Sequence, residues 1–161
     1  MEQLLKRKHP RLKNYDYSQV GCYFVTVCTK NRQHLLARIS VGRDDPGAPL
    51  LELTSLGTMV DSFLVEIPNH YENVHVNHHV IMPNHVHVLL TIENGAPGSS
   101  RPTISQIIAA WKRFTNKDAG TQLWQSSYHD HVIRDEADYL EHWSYIDSNP
   151  AKWPEDEYYT E

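Results

Sequence analysis

Two strand-like stretches, residues 73–82 and 85–92, are separated by Pro83-Asn84 alone. So short a connection suits a tight antiparallel turn and little else. The second stretch begins His85-Val86-His87-Val88-Leu89-Leu90. Side chains alternate faces along a strand, so His85 and His87 stand on one face, close enough to share a metal. Val86, Val88 and Leu90 point to the other face. A polar pair on an apolar strand costs free energy unless each ring finds a partner. The pair therefore marks a place to look for a site.

The rest of the chain supplies elements to pack around this hairpin. Residues 20–30 are rich in β-branched and aromatic types and read as a strand. Residues 41–50 hold Gly42, Pro46, Gly47 and Pro49 and read as a loop. Leu56, Met59, Val60, Phe63, Leu64 and Ile67 recur at helical spacing over residues 54–67, with Thr54 or Ser55 as N-cap and Pro68 just past the end. Residues 93–102 read as a flexible connection. Thr103 and Gln106 form a T-x-x-Q capping box before the apolar stripe Ile104, Ile107, Ile108, Trp111 and Phe114, and Gly120 is a natural stop. Trp111 and Phe114 read as core. Residues 129–134 suit a short edge strand, and a last helix runs from Asp135 to Asn149-Pro150. The order β-α-β-β-α-β-α predicts an α+β fold, a ferredoxin-like antiparallel sheet with helices packed on it, in a single domain spanning residues 1–161.

Composition narrows the class of partner. With 40% hydrophobic and 22% charged residues the chain reads as soluble and globular. No apolar stretch approaches the roughly 20 residues needed to span a membrane, and the charged N-terminus reads as no signal peptide. Cys22 and Cys28, about 20 Å apart along an extended strand at about 3.3 Å per residue, are expected as free thiols in a reducing cytoplasm. Residues 1–38 carry eight Lys and Arg against two acidic residues, although the whole chain has net charge −5. The basic arm at residues 1–19, with Lys6, Arg7, Lys8, Arg11 and Lys13, and the helical group Lys112, Arg113 and Lys117 are the candidate DNA-binding surface; Tyr15 and Tyr17 could stack on unpaired bases. A solvated arm with no such role fits the same residues.

Two histidines supply two nitrogen ligands, and a divalent ion needs at least one more donor. Tyr145 and Asn149 lie four apart and share a helix face. If that helix crosses the histidine strand, it brings a neutral oxygen ligand and a phenol nucleophile to the metal. The alternatives are satisfied core or surface histidines, and a Tyr145 that only neighbours a buried stripe of Tyr139, Trp143 and Ile146. Nearby, His75 and His79 are expected on one face of their strand and His78 on the other, in supporting or surface roles. Tyr128, beside His129, Asp130 and His131, is the rival nucleophile.

Four segments, in order, resemble the REP-associated tyrosine transposases, relatives of the single-tyrosine transposases in the HUH nuclease superfamily. These are Tyr23-Phe24-Val25-Thr26 through Lys30-Asn31-Arg32, Val80-Ile81-Met82-Pro83-Asn84-His85-Val86-His87, Trp124-Gln125 through Tyr128 to Arg134, and Tyr145-Ile146-x-x-Asn149-Pro150. The resemblance runs from Gly21 to Trp153. It implies that His85, His87 and Asn149 hold Mg2+ or Mn2+ and that Tyr145 is the nucleophile. It further implies a single-strand DNA endonuclease and strand-transferase acting at hairpin repeats through a 5′-phosphotyrosine. The partner would be single-stranded or hairpin DNA, the protein a monomer or homodimer, and the location the bacterial cytoplasm, associated with the nucleoid. Two other functions remain open at this level. One is a hairpin DNA-binding protein or repressor without turnover; the other is a metallohydrolase unrelated to DNA, which would need an acid such as Asp130 or Asp147 beside the pair.

Overall fold

A computed structural model of the protein describes residues 21–41, 49–93 and 102–161. The basic arm, with Lys6, Arg7, Lys8, Arg11 and Lys13, lies outside the described residues.

Four strands form one antiparallel sheet: β1 (Gly21–Cys28), β4 (Val74–Ile81), β5 (His85–Ile92) and β6 (His129–Val132), in the order β4-β5-β1-β6. The helices α1 (Ser55–Val65), α2 (Ile67–His70), α3 (Ile104–Ala119) and α4 (Glu136–Ser148) complete it. This is the expected ferredoxin-like arrangement. Strand β5 runs centrally between β1 and β4, with His85 opposite Cys28 and His87 opposite Thr26 in register.

The two faces of the sheet bury different sets. Tyr23, Val25, Val27, Val86, Val88, Leu90 and Ile92 pack with Val60 and Leu64 of α1 and with Ile104, Ile107, Ile108 and Trp111 of α3. Full burial of each such side chain contributes about 1.5–3 kcal/mol. Across the sheet, Val80, Met82 and Leu89 pack with Ile146 of α4 and with Trp153, and Tyr139 and Trp143 lie against them. The predicted stripe on the last helix is therefore present, and it seats α4 over the histidine face. Among the described residues, no helix is long and apolar enough to cross a membrane.

Local chemistry explains the boundaries. Both arms of the capping box form: Thr103 Oγ1 accepts from Gln106 N–H at 3.1 Å, and Gln106 Oε1 accepts from Thr103 N–H at 2.9 Å. Gly120 ends α3 at φ 72°, a conformation that glycine adopts without a Cβ penalty. Gly57 is required by close approach, because a Cβ there would stand 1.9 Å from the Leu36 carbonyl oxygen.

Several expectations fail locally. The predicted loop at 41–50 contains the ends of a separate hairpin, β2 (Ala37–Val41) and β3 (Pro49–Leu53). Proline is tolerated there because Pro49 is the first residue of its strand. Pro68 lies inside the first turn of α2, where its missing N–H is harmless. Phe114 is exposed at 44%, and Thr115 takes the buried place, accepting from Trp124 Nε1–H at 2.8 Å. A bulge between Val76 and His78 reverses the expected sides of β4. His75 and His78 now share the α4 face, opposite Thr91 and Leu89, while His79 faces α1 and pairs with Asp61 at 2.5 Å.

Candidate active site

The strand alternation of β5 places His85 and His87 side by side, with ring centroids 4.5 Å apart. Both are buried, at 0% and 1% exposure. Each ring is oriented by a second contact on its Nδ1. Asn84 Oδ1 lies 2.7 Å from His85 Nδ1, and the Asn84 amide donates from its other end to the Tyr158 carbonyl at 2.7 Å. That fixes the Asn84 oxygen toward His85, so His85 carries its proton on Nδ1 and presents the Nε2 lone pair. Thr26 Oγ1 lies 2.7 Å from His87 Nδ1 and holds that ring's orientation.

The Nε2 atoms of both histidines are buried without a hydrogen-bond partner, and so is Oδ1 of Asn149. Buried polar groups are nearly always satisfied, so three such orphans together call for an explanation. Asn149, the C-cap of α4, is 2% exposed and lies beside both His85 and Tyr145. Tyr145 is one helical turn earlier, its ring 5.2 Å from that of His87. The helix thus delivers both predicted groups to the histidine face.

Asp156, which sequence reasoning missed, completes the set. Its Oδ2 accepts from Asn149 Nδ2 at 2.7 Å and stands 3.6 Å from His85 Nε2. Donor atoms of His85, His87 and Asp156 all lie within 4.8 Å of one another. Two imidazoles, an amide oxygen and a carboxylate form a donor set that fits a divalent ion. Neither acid named from the sequence does this. Asp147 pairs with His78 at 2.6 Å, and Asp130 pairs in register with Val25, whose side chain faces the other core. Tyr158 also lies here, its ring 4.7 Å from His85 and 5.7 Å from His87. No periodicity marks the polar tail that carries Asp156 and Tyr158. Only tertiary folding, through the turn at Trp153–Glu155, returns it to the site.

Electrostatics follow from burial. Desolvation lowers the His85 pKa to about 4 against the opposing pull of the Asp156 carboxylate, and lowers that of His87 well below the usual value. Both rings are therefore neutral lone-pair donors at neutral pH. Burial, then the Asp156 and Glu157 carboxylates, push the Tyr145 phenol up to about 12. Tyr145, Asn149, Lys152, Asp156 and Glu157 line an open pocket of about 210 Å3.

The rival nucleophile is elsewhere. Tyr128 is buried in the opposite core with its hydroxyl 2.9 Å from Ser105 Oγ. The basic group on α3 is also across the sheet from the histidines. Lys112 Nζ donates to the carbonyls of Gln125 and Ser127 at 2.8 and 3.0 Å, and Arg113 lies over the Phe114 ring. Lys117 is in the last turn of α3.

No family model matches the chain. An uncharacterized protein of Haemophilus influenzae is 30% identical over 96% of this chain and 94% of its own length. A REP-associated tyrosine transposase of Escherichia coli is 26% identical over 84% of this chain and 70% of its length. The solved structure of a REP-associated tyrosine transposase bound to a REP hairpin shares the fold, with TM-score 0.65 and 23% identity over 88% of this chain and 73% of that one. With both blocks of the motif gathered on one face of that fold, the chain is similar to a REP-associated tyrosine transposase in sequence and shares the fold of one.

Proposed function

We propose that the protein is a metal-dependent single-strand DNA endonuclease and strand-transferase that cuts beside hairpin repeats through Tyr145. The observation that carries this reading is that three buried atoms without a hydrogen bond, His85 Nε2, His87 Nε2 and Asn149 Oδ1, belong to one site beside the Tyr145 phenol. Similarity to a REP-associated tyrosine transposase supports DNA processing, and the shared fold of one solved with a REP hairpin supports the hairpin as substrate.

His85, His87 and Asn149 would hold a divalent ion, Mg2+ or Mn2+, which would supply Lewis-acid polarisation of the scissile phosphate. Asp156 stands beside that set as a further donor. Asn84 keeps the lone pair of neutral His85 on Nε2, and Thr26, when it accepts from Nδ1, does the same for His87. Tyr145 stays protonated until substrate arrives, since burial and two carboxylates oppose the phenolate. On attack the Tyr145 oxygen bonds to phosphorus, the bond to the 3′ oxygen breaks, and the phenolic proton leaves. The 3′ oxygen takes up a proton and departs as a hydroxyl. The phosphodiester energy is retained in a 5′-phosphotyrosine, so the 3′-hydroxyl of another end can reverse the step and join strands. Water as nucleophile would only cut.

The test incubates the protein with a labelled single-stranded hairpin oligonucleotide and Mn2+, followed by a denaturing gel. A covalent adduct that Tyr145→Phe abolishes, with hairpin binding retained on a native gel, is the expected result. Binding with no adduct in the unaltered protein would favour a hairpin-binding protein or repressor without turnover.

A further inference from the structure

One other group of donors converges among the described residues: His131 on β6 with Asp138 and His142 on α4. We propose that these three side chains form a second metal site, for a first-row transition ion of the Zn2+ or Co2+ kind, which pins the helix carrying Tyr145 to the edge strand. The proposal stands apart from the DNA-cleavage reading and needs none of its residues.

The donor atoms of the three residues all lie within 4.8 Å of one another, the same closeness found at the histidine pair. Asp138 and His142 are four apart, so one helix face presents both. His131 approaches from the strand, its ring stacked on His142 at 4.6 Å and 17°. Its Nε2 is 2.8 Å from Asp138 Oδ2, and His142 Nδ1 donates to the Asp138 backbone carbonyl at 2.8 Å while lying 3.1 Å from Asp138 Oδ1. The backbone N–H of Arg134 donates to the same carboxylate at 2.9 Å and orients it.

The neighbouring ion pairs set a contrast. His75–Glu93, His78–Asp147 and His79–Asp61 each match one imidazole to one carboxylate. Here two imidazoles converge on a single carboxylate. Two imidazole donors and one carboxylate offer an ion one formal negative charge, complementary to a divalent cation. Two nitrogens and one oxygen favour Zn2+ or Co2+ over Mg2+. The group is half-buried, so an ion can enter and water can fill the remaining positions, as in three-ligand zinc centres.

Its consequence is positional. The His142 ring packs on Phe24 at 4.7 Å, and Phe24 stacks on His87 at 5.1 Å and meets Tyr145 edge-on at 6.0 Å. An ion at this site holds the start of α4 against β6 without touching the reacting atoms.

The experiment uses the full chain, stripped with a chelator and titrated with Co2+, read by d–d absorption and by bound metal per chain. His85→Ala/His87→Ala removes the first site and should leave one equivalent, displaced by Zn2+ and indifferent to excess Mg2+. Adding His131→Ala/His142→Ala should abolish it. Asp138→Asn, which keeps an oxygen for the Arg134 N–H, should weaken Co2+ binding while circular dichroism shows the fold retained. The proposal is overturned if the His85→Ala/His87→Ala protein binds no Co2+. It is equally overturned if the equivalent persists after His131 and His142 are removed.

Discussion

Thr26 Oγ1 lies 2.7 Å from Nδ1 of His87, its register partner across the β1–β5 ladder. The contact holds the ring on the face where Tyr145 lies, 5.2 Å from it. Partners of this kind are worth about 10–100-fold in metal affinity. Thr26→Val keeps shape and removes the oxygen, so Mn2+ affinity measured by calorimetry should fall by about that factor. Unchanged affinity would show that the hydroxyl does not orient the ring.

Asp156 sits against both Asn149 and His85 and is the second cause, after burial, of the raised Tyr145 pKa. Asp156→Asn should therefore lower the phenol partway from about 12 toward its ordinary value. Ultraviolet difference titration, with the Tyr145→Phe form of each protein subtracted, reads the shift. A phenol that titrates as before would mean burial alone sets it.

The metal-free protein should lose stability as pH falls. Burial holds His85 near about 4 and His87 well below normal, while unfolded imidazoles titrate near about 6.5. Between about 6.5 and 4 the unfolded chain binds protons that the native state excludes. Each such proton removes up to about 1.4 kcal/mol of stability per pH unit. Urea denaturation across that window should show a steeper decline for the unaltered chain than for His85→Gln/His87→Gln. Equal slopes would contradict the assignment.

Gly57→Ala decides between two opposed effects. Alanine gains about 1 kcal/mol in helix propensity, but its Cβ would meet the Leu36 carbonyl oxygen at 1.9 Å. Leu36 cannot give way freely: its oxygen accepts from Thr54 N–H, and its own N–H donates to Pro83 in the turn before His85. Overpacking of about 1–3 kcal/mol should prevail, and net destabilisation by urea titration is expected.

Lys112 Nζ donates to two backbone carbonyls, contacts that compete with binding a phosphate. Lys112→Ala should lower Tm yet leave the salt dependence of hairpin binding nearly unchanged. A residue contacting phosphate would instead reduce that slope by about 1.

Much of the site is legible in the sequence because short-range geometry determines it. The period of two puts His85 and His87 together, and the period of 3.6 puts Asn149 one turn from Tyr145. Thr103 and Gln106 announce their helix for the same reason, since each bonds the other's backbone. What escapes depends on contacts distant in sequence or on one extra residue. The bulge beside Asn77 moves His78 and His79 to unexpected faces, and no local pattern signals it. The β2–β3 hairpin hides behind Pro46, Gly47 and Pro49. Asp156 and Tyr158 belong to a short polar tail whose position depends on contacts with Asn84, Asn149 and His85.

The nucleophile itself is open to direct measurement. Protein cross-linked to a hairpin oligonucleotide in Mn2+ can be digested with nuclease and trypsin, and the nucleotide remnant located by fragmentation mass spectrometry. The account predicts a phosphodiester on Tyr145. A remnant on Tyr158, which touches the same histidines, or on Tyr128 would contradict it.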